Sequence, residues 1–310
     1  MIFDRDSYLT SLAHLGRLIS VPGLPYPVLL RRIPNTRYED AMGPWPYGSA
    51  PDTTGLPDTF AFLRDLGVIT FTGFIRPDAR FDRTMAERAG FAVAPLKPHF
   101  IVNESGMPLS FRRRTRRHLA MARRHWTIDL ASLDAGHAAV AMRLHLDLQR
   151  RREMSAMTRM PAEHFLRLAD TPGIAVLAAR DSDGIGGLVI AACEADETHL
   201  LHFLVLEHAL RTSASYLLMA SAIEVWGRNG RVYLGGAPSG RDGPGIARFK
   251  ARWANRTASV SLLTAILQED TYRALGPEGS RTPFFPNYRN PGLDDAESQA
   301  APVGEETFRA

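Results

Sequence analysis

Lysine is almost missing from this chain. Of its 37 basic residues only Lys97 and Lys250 are lysine, and the other 35 are arginine. A lysine in such a sequence reflects either chance or a place where the planar guanidinium fork cannot replace a compact ammonium. Cysteine is scarcer still. Cys193 alone excludes an internal disulfide and fits a reducing compartment, so a cytoplasmic location is expected. No apolar run reaches the roughly 18 residues that suggest a membrane span. Residues 1–20 also lack the charged-then-apolar layout of a signal peptide. No Cys/His spacing suits a metal, so none is expected. No Ser/His/Asp or Cys/His pairing stands out either. The Gly235-Gly236 segment lacks the Gly-Lys-[Ser/Thr] ending of an ATP phosphate loop.

What is present is an ordinary globular composition. Apolar residues are 45% and charged residues 23% of a 310-residue chain, enough for two modest domains. The net charge of +4 leans mildly toward anionic partners. Helices and strands alternate throughout, which predicts an α/β (α+β) class. In the first third, 28–33 and 68–75 read as strands and 58–66 as a helix stopped by Gly67. A short strand is expected at 100–103, then a basic helix at 110–125. The second half predicts a strand at 126–131, helices at 135–152 and 163–169, and strands at 174–180, 185–193 and 199–207. The turn-like Asp181–Gly184 makes hairpins the natural connection. A helix at 213–227, strands at 231–234 and 259–267, and a short helix at 246–254 complete the pattern. Helix, glycine, strand recurs at 60–73 and 223–235, an echo that either a duplication or chance explains. The tail after Pro291 is acidic, poor in large apolar residues, and expected to be disordered.

Two segments invite a functional reading. Lys250 closes the run Gly235 to Lys250, in which a glycine-rich loop leads from a strand into a short helix. Such loops bring backbone N–H groups close to a ligand. The basic helix carries Arg112, Arg113, Arg114, Arg116, Arg117, Arg123 and Arg124 with no acidic residue between 110 and 127. Such a run is either a solvated face or a polyanion grip, with RNA phosphate the leading anion and no DNA-readout motif in sight.

The C-terminal order of hairpin strands, helix, strand, helix, strand resembles the GNAT acyltransferase fold. Four further segments resemble the FemABX-type branch, in which two GNAT-like domains sit in tandem. These are Asp40 to Gly48, the arginine-rich Ser110 to His118, Gly245 to Lys250 with its Phe249-Lys250 pair, and Phe284 to Arg289. The resemblance implies mixed central sheets flanked by helices, with a degenerate GNAT-like domain at 1–108, a second at 109–290, and the tail at 291–310. It implies acyl transfer to an amine, most simply of an aminoacyl group from charged tRNA, with a small-molecule or peptide amine as acceptor. No cofactor is implied, because the acyl donor arrives activated. Lys250 and Phe249 become the catalytic candidates. Tyr47, Asp40, Arg211 and Tyr216 become substrate-binding candidates, and Arg112, Arg113, Arg116 and Arg117 tRNA-binding ones. The usual pyrophosphate motif [Gln/Arg]-x-x-Gly-x-[Gly/Ala] is broken here. Arg211 to Tyr216 has Ala for the glycine and Tyr for the small residue, which would crowd a CoA pyrophosphate. An acyl-CoA-dependent N-acyltransferase and a non-catalytic RNA-binding module remain the alternatives.

Overall fold

The computed structural model describes residues 1–103, 112–152, 154, 158–228, 230–238, 241–276 and 284–289. The expected tail at 291–310 therefore lies outside the described residues, as do Ser110 and Phe111 at the start of the basic helix. The chain opens with α1 (Asp6–Thr10), β1 (Arg17–Ile19), β2 (Val28–Arg32), β3 (Glu39–Met42), α2 (Leu56–Asp65) and β4 (Thr70–Ile75). Then come α3 (Arg83–Arg88) and β5 (Ala92–Val102), the basic helix α4 (Arg113–His125), β6 (Thr127–Ser132), α5 (Ala135–Arg151) and α6 (Ala162–Ala169). The hairpin strands β7 (Ile174–Asp181), β8 (Gly184–Cys193) and β9 (Glu197–Val205) follow, then α7 (Glu207–Arg211), α8 (Ala214–Trp226), β10 (Arg231–Gly235), α9 (Gly243–Lys250), β11 (Arg256–Ile266) and α10 (Glu269–Leu275).

Among the described residues the eleven strands form one mixed sheet in the order β1-β2-β3-β4-β11-β5-β10-β9-β8-β7-β6. The two Gly-stopped helix–strand echoes occupy matching places in it. β3 pairs parallel with β4 across α2, and β9 pairs parallel with β10 across α8. The last strand of each half is exchanged: β11, from the second half, lies between β4 and β5 of the first. Sheet hydrogen bonding therefore runs without a break across the boundary expected near residue 108.

The helices cover both faces. One core cluster gathers Phe3, Tyr8, Tyr47, Leu144, Phe165, Ile190 and Leu204 beneath α1, α5 and α6. The other gathers Leu119, Trp126, Val189, Leu218 and Trp253 with α4 and α8. α8 is apolar nearly all round, as a helix buried between sheet and neighbours must be. In α4, Thr115, Leu119 and Ala122 are buried at helical spacing while the arginines stay exposed.

β5 is far longer than the strand expected at 100–103. Pro95, Pro98 and a run of exposed residues hide it, because a strand with few buried side chains has no alternation to read. Asp40, a substrate-binding candidate, lies within the short strand β3.

Candidate active site

Three adjacent strands at the middle of the sheet carry a row of polar side chains on one face. In-register pairing puts Glu197 opposite Arg231 and His199 opposite Tyr233. Tyr233 in turn pairs with Ile101 of β5, so His99 and Lys97, two and four residues back, continue the row. β9 and β10 pair only over Glu197–His199. Leu201 is then bulged out of the β8–β9 ladder, and the two strands part. The bulge also resets the alternation, so His202 joins His199 on the same side. There its Nε2 lies 2.9 Å from His164 Nε2. His202, left out of the catalytic set on sequence grounds, is buried in a histidine group with His164 and His145.

The row is wired as a relay. Tyr47, 2% exposed, places its hydroxyl 2.6 Å from His199 Nδ1, and His199 Nε2 lies 3.3 Å from Glu197 Oε1. A carboxylate accepts only, so His199 Nε2 carries the proton, and Nδ1 accepts from the tyrosine. Arg76 donates to Glu197 Oε2 at 2.5 Å, and Arg231 approaches the same oxygen at 3.4 Å. Burial alone would raise the Glu197 carboxyl, but the hydrogen bonds from His199 and Arg76 outweigh it and hold it at about 2. Desolvation lowers His199 against the pull of Glu197, and burial raises the Tyr47 hydroxyl well above its usual range. His199 also stacks on Tyr233, with ring centroids 4.5 Å apart.

Lys250 reaches the edge of this row at the end of β10. Its Nζ donates to the Gly236 carbonyl at 2.6 Å. Gly235 has φ +75, and a Cβ there would sit 3.3 Å from Nζ, so the missing side chain makes room for the ammonium. Burial, with the charge of Lys97 behind it, lowers Lys250 from 10.5 to about 8. Lys97 comes to the same place from β5: a Cβ on Gly236 would meet its Cδ and Cε at 3.1 Å. The chain's two lysines converge on one Gly-Gly step.

Phe249 packs away from the polar row, edge-on to Tyr216 at 5.4 Å and near Phe203 and Trp253. Tyr216 accepts a hydrogen bond from Arg252 at 2.8 Å and stacks on His118 of α4 at 4.1 Å. This chain of rings ties the basic helix to the helix that ends in Lys250. Arg112, Arg113, Arg114, Arg116 and Arg117 are exposed, and none takes part in an ion pair among the described residues. Two expected contacts lie elsewhere. Arg211 is on the surface, ion-paired with Glu207 at 2.5 Å. Asp40 is fully buried with both oxygens taken: Arg31 donates to one at 2.8 Å and Arg289 to the other. It is a clasp that holds Arg289 against β2, where Arg289 also donates to the carbonyls of Arg31 and Arg32.

The residues that sequence reasoning missed are Lys97, His99, His199, Glu197, Arg76 and Tyr233. Only Lys97 carried a signal, its rarity. As a metal site, Glu194, Glu197 and His199 are the group among the described residues whose ligand atoms come within 4.8 Å of one another. Arg76, Arg231 and Tyr47 already engage two of those three side chains.

No family model matches the chain, and no curated protein sequence does. Solved structures match in shape. FemX has a TM-score of 0.61 at 12% identity, covering 88% of this chain and 94% of that one. The C-terminal DUF2156 domain of a putative lysylphosphatidylglycerol synthetase from Agrobacterium fabrum scores 0.57 at 14%, covering 90% and 96%. L-PGS from Bacillus licheniformis scores 0.57 at 11%, covering 84% and 87%. With one mixed sheet flanked by helices and a parallel strand pair in the matching place of each half, the chain has the FemABX/GNAT-type acyltransferase fold.

Proposed function

We propose that the protein is an acyltransferase that forms an amide bond, moving an aminoacyl group from an aminoacyl-tRNA to an amine acceptor. The observation that carries this reading is a desolvated ammonium, Lys250, at the splayed strands, joined through Phe249, Tyr216 and His118 to an acid-free arginine helix. In the reaction, the lone pair of a neutral amine forms the new C–N bond and the carbonyl π pair moves onto oxygen. Lys250 faces that oxygen as a fixed cation, a kind of contact worth about 2.7–4 kcal/mol of barrier. The intermediate collapses by breaking the bond to the ribose oxygen, which leaves with the proton shed by the nitrogen. The ester already carries the activation, so this reading needs no cofactor.

An acyl-CoA donor fits less well. A pyrophosphate would seat at the N-terminus of α8, but Ser213 and Ala214 there are 2% and 0% exposed. His118 of α4 bonds the Ser213 hydroxyl at 2.8 Å, and Trp126 bonds Thr212 beside it. The arginines of α4 instead form a broad stripe, which matches a polyanion better than one diphosphate. The test is product formation with charged tRNA, with and without ribonuclease, beside acyl-CoA. Transfer abolished by ribonuclease is expected, with CoA binding weaker than about 1 mM by calorimetry. Micromolar CoA binding with ribonuclease-resistant transfer would overturn the donor.

A further inference from the structure

The two lysines and His99 make a positive site in which, among the described residues, no carboxylate takes part. Lys97 and His99 lie two residues apart on β5 and so share a face, and both press on Gly236, whose Cβ would meet His99 Cδ2 at 3.1 Å. Lys250 comes to the same step past Gly235. The charged groups felt by His99 are Lys97, Lys250 and His199, and no carboxylate is among them. Glu197, the carboxylate further along the same row, is spent on Arg76, Arg231 and His199. The other groups facing the site are the Gly236 carbonyl, already bonded to Lys250, and the Tyr47 ring, 5.6 Å from His99.

His99 adds a second, independent observation. It is 5% exposed, and its Nδ1 has no hydrogen-bond partner. An unmade hydrogen bond on a buried ring costs about 1–3 kcal/mol, and the half-buried Lys250 ammonium is repelled by the more exposed Lys97 beside it. One anion would offset both costs. A cation would meet two like charges there.

We propose that Lys97 and His99, beside Lys250, form an oxyanion-binding subsite over Gly235–Gly236 that holds a carboxylate or phosphate carried by the acceptor amine. The side of approach selects the acceptor. Lys97 and His99 belong to the row that includes His199 and is capped by Tyr47 and Phe3, whereas α4 and its arginines pack with α8 on the other core. A tRNA gripped by α4 reaches Lys250 from its own side, which leaves the Lys97 side to the second substrate. Lys97 then takes the permanent negative charge, and Lys250 stays available for the charge that develops on the carbonyl oxygen. This assignment to the acceptor rests on the acyl-transfer reading; the anion site itself does not.

The scarcity of lysine makes the test direct. Protein grown on lysine labelled with 13C at Cε gives two resonances, one for Lys97 and one for Lys250, assigned with Lys97→Met and Lys250→Met. The full chain is titrated with acetate and with inorganic phosphate at constant ionic strength, with chloride as the reference. A saturable shift of both signals is expected, and the anion that binds at least about tenfold tighter names the group. Lys97→Met should weaken the response of the Lys250 signal at least about tenfold, and His99→Phe should weaken it while leaving both signals dispersed as in the folded protein. If neither anion does more than chloride, or if the Lys250 signal responds equally in Lys97→Met, the subsite is refuted. No acyl donor is present, so this outcome is independent of whether charged tRNA is the substrate.

Discussion

Replacing Lys250 by Met should make the protein more stable at neutral pH while it stops turning over. The folded state holds the ammonium at about 8, against 10.5 in the unfolded chain. At 1.36 kcal/mol per tenfold, that corresponds to about 3 kcal/mol of penalty for keeping the charge at neutral pH. The hydrogen bond to Gly236 repays about 1–2 kcal/mol of it. Methionine fills a similar volume without charge, so Lys250→Met should gain on the order of 1–2 kcal/mol at pH 7. Because the folded pKa is depressed, the unfolded chain binds more protons between pH 8 and 10.5. Wild-type stability should therefore rise across that window, and the advantage of the variant should shrink as the penalty disappears. Urea unfolding at pH 7 and at pH 10.5 reads both effects. A variant less stable than wild type by the same amount at both values would refute the claim that the site strains its lysine.

Three further outcomes follow from the same structure. Lys250→Ala should lower turnover about 100- to 1,000-fold with the fold intact, and Lys250→Arg should be impaired too, because the wider fork misplaces the charge; near-normal rates in both would remove Lys250 from the chemistry. Replacing Arg113 and Arg117 by Gln should flatten the log–log salt dependence of tRNA binding by about one unit per lost phosphate contact, measured by filter binding from low to moderate salt; an unchanged slope would leave α4 as plain surface. Acid should unfold the protein through its buried histidines. Desolvation lowers His164 to about 4 and His202 well below 6.5, so their neutral forms add stability above about pH 6.5 that is lost as pH falls toward 4. His202→Phe should flatten that part of a stability–pH profile, and an unchanged profile would place the acid sensitivity elsewhere.

The legible parts of this fold are those where burial imposes a period. The three hairpin strands and α8 sit within about two residues of their expected positions, since their apolar runs face a core on both sides. β5, mostly exposed and interrupted by Pro95 and Pro98, gave no such signal. Short elements such as β3 and α7 escaped for a different reason, because four or five residues are too few to establish either period. Among site residues, Lys250 stood out by rarity beside a glycine run. Arg211 and Asp40 matched motif positions, yet local partners occupy both.

The sequence by itself determined the class of elements, the acid-free arginine helix and the two lone lysines, because composition and local periodicity are properties of neighbouring residues. Tertiary structure alone decided what those lysines do. Lys97 and Lys250 are separated by about half of the 310-residue chain, and Tyr47 and His199 by 152 residues. They meet only because β11 and β5 exchange places at the centre of the sheet, bringing β5 against β10. Hydrogen bonding between strand edges does not depend on how far apart they are in sequence. The desolvation and like-charge repulsion that give the site its chemistry appear only once that pairing has formed.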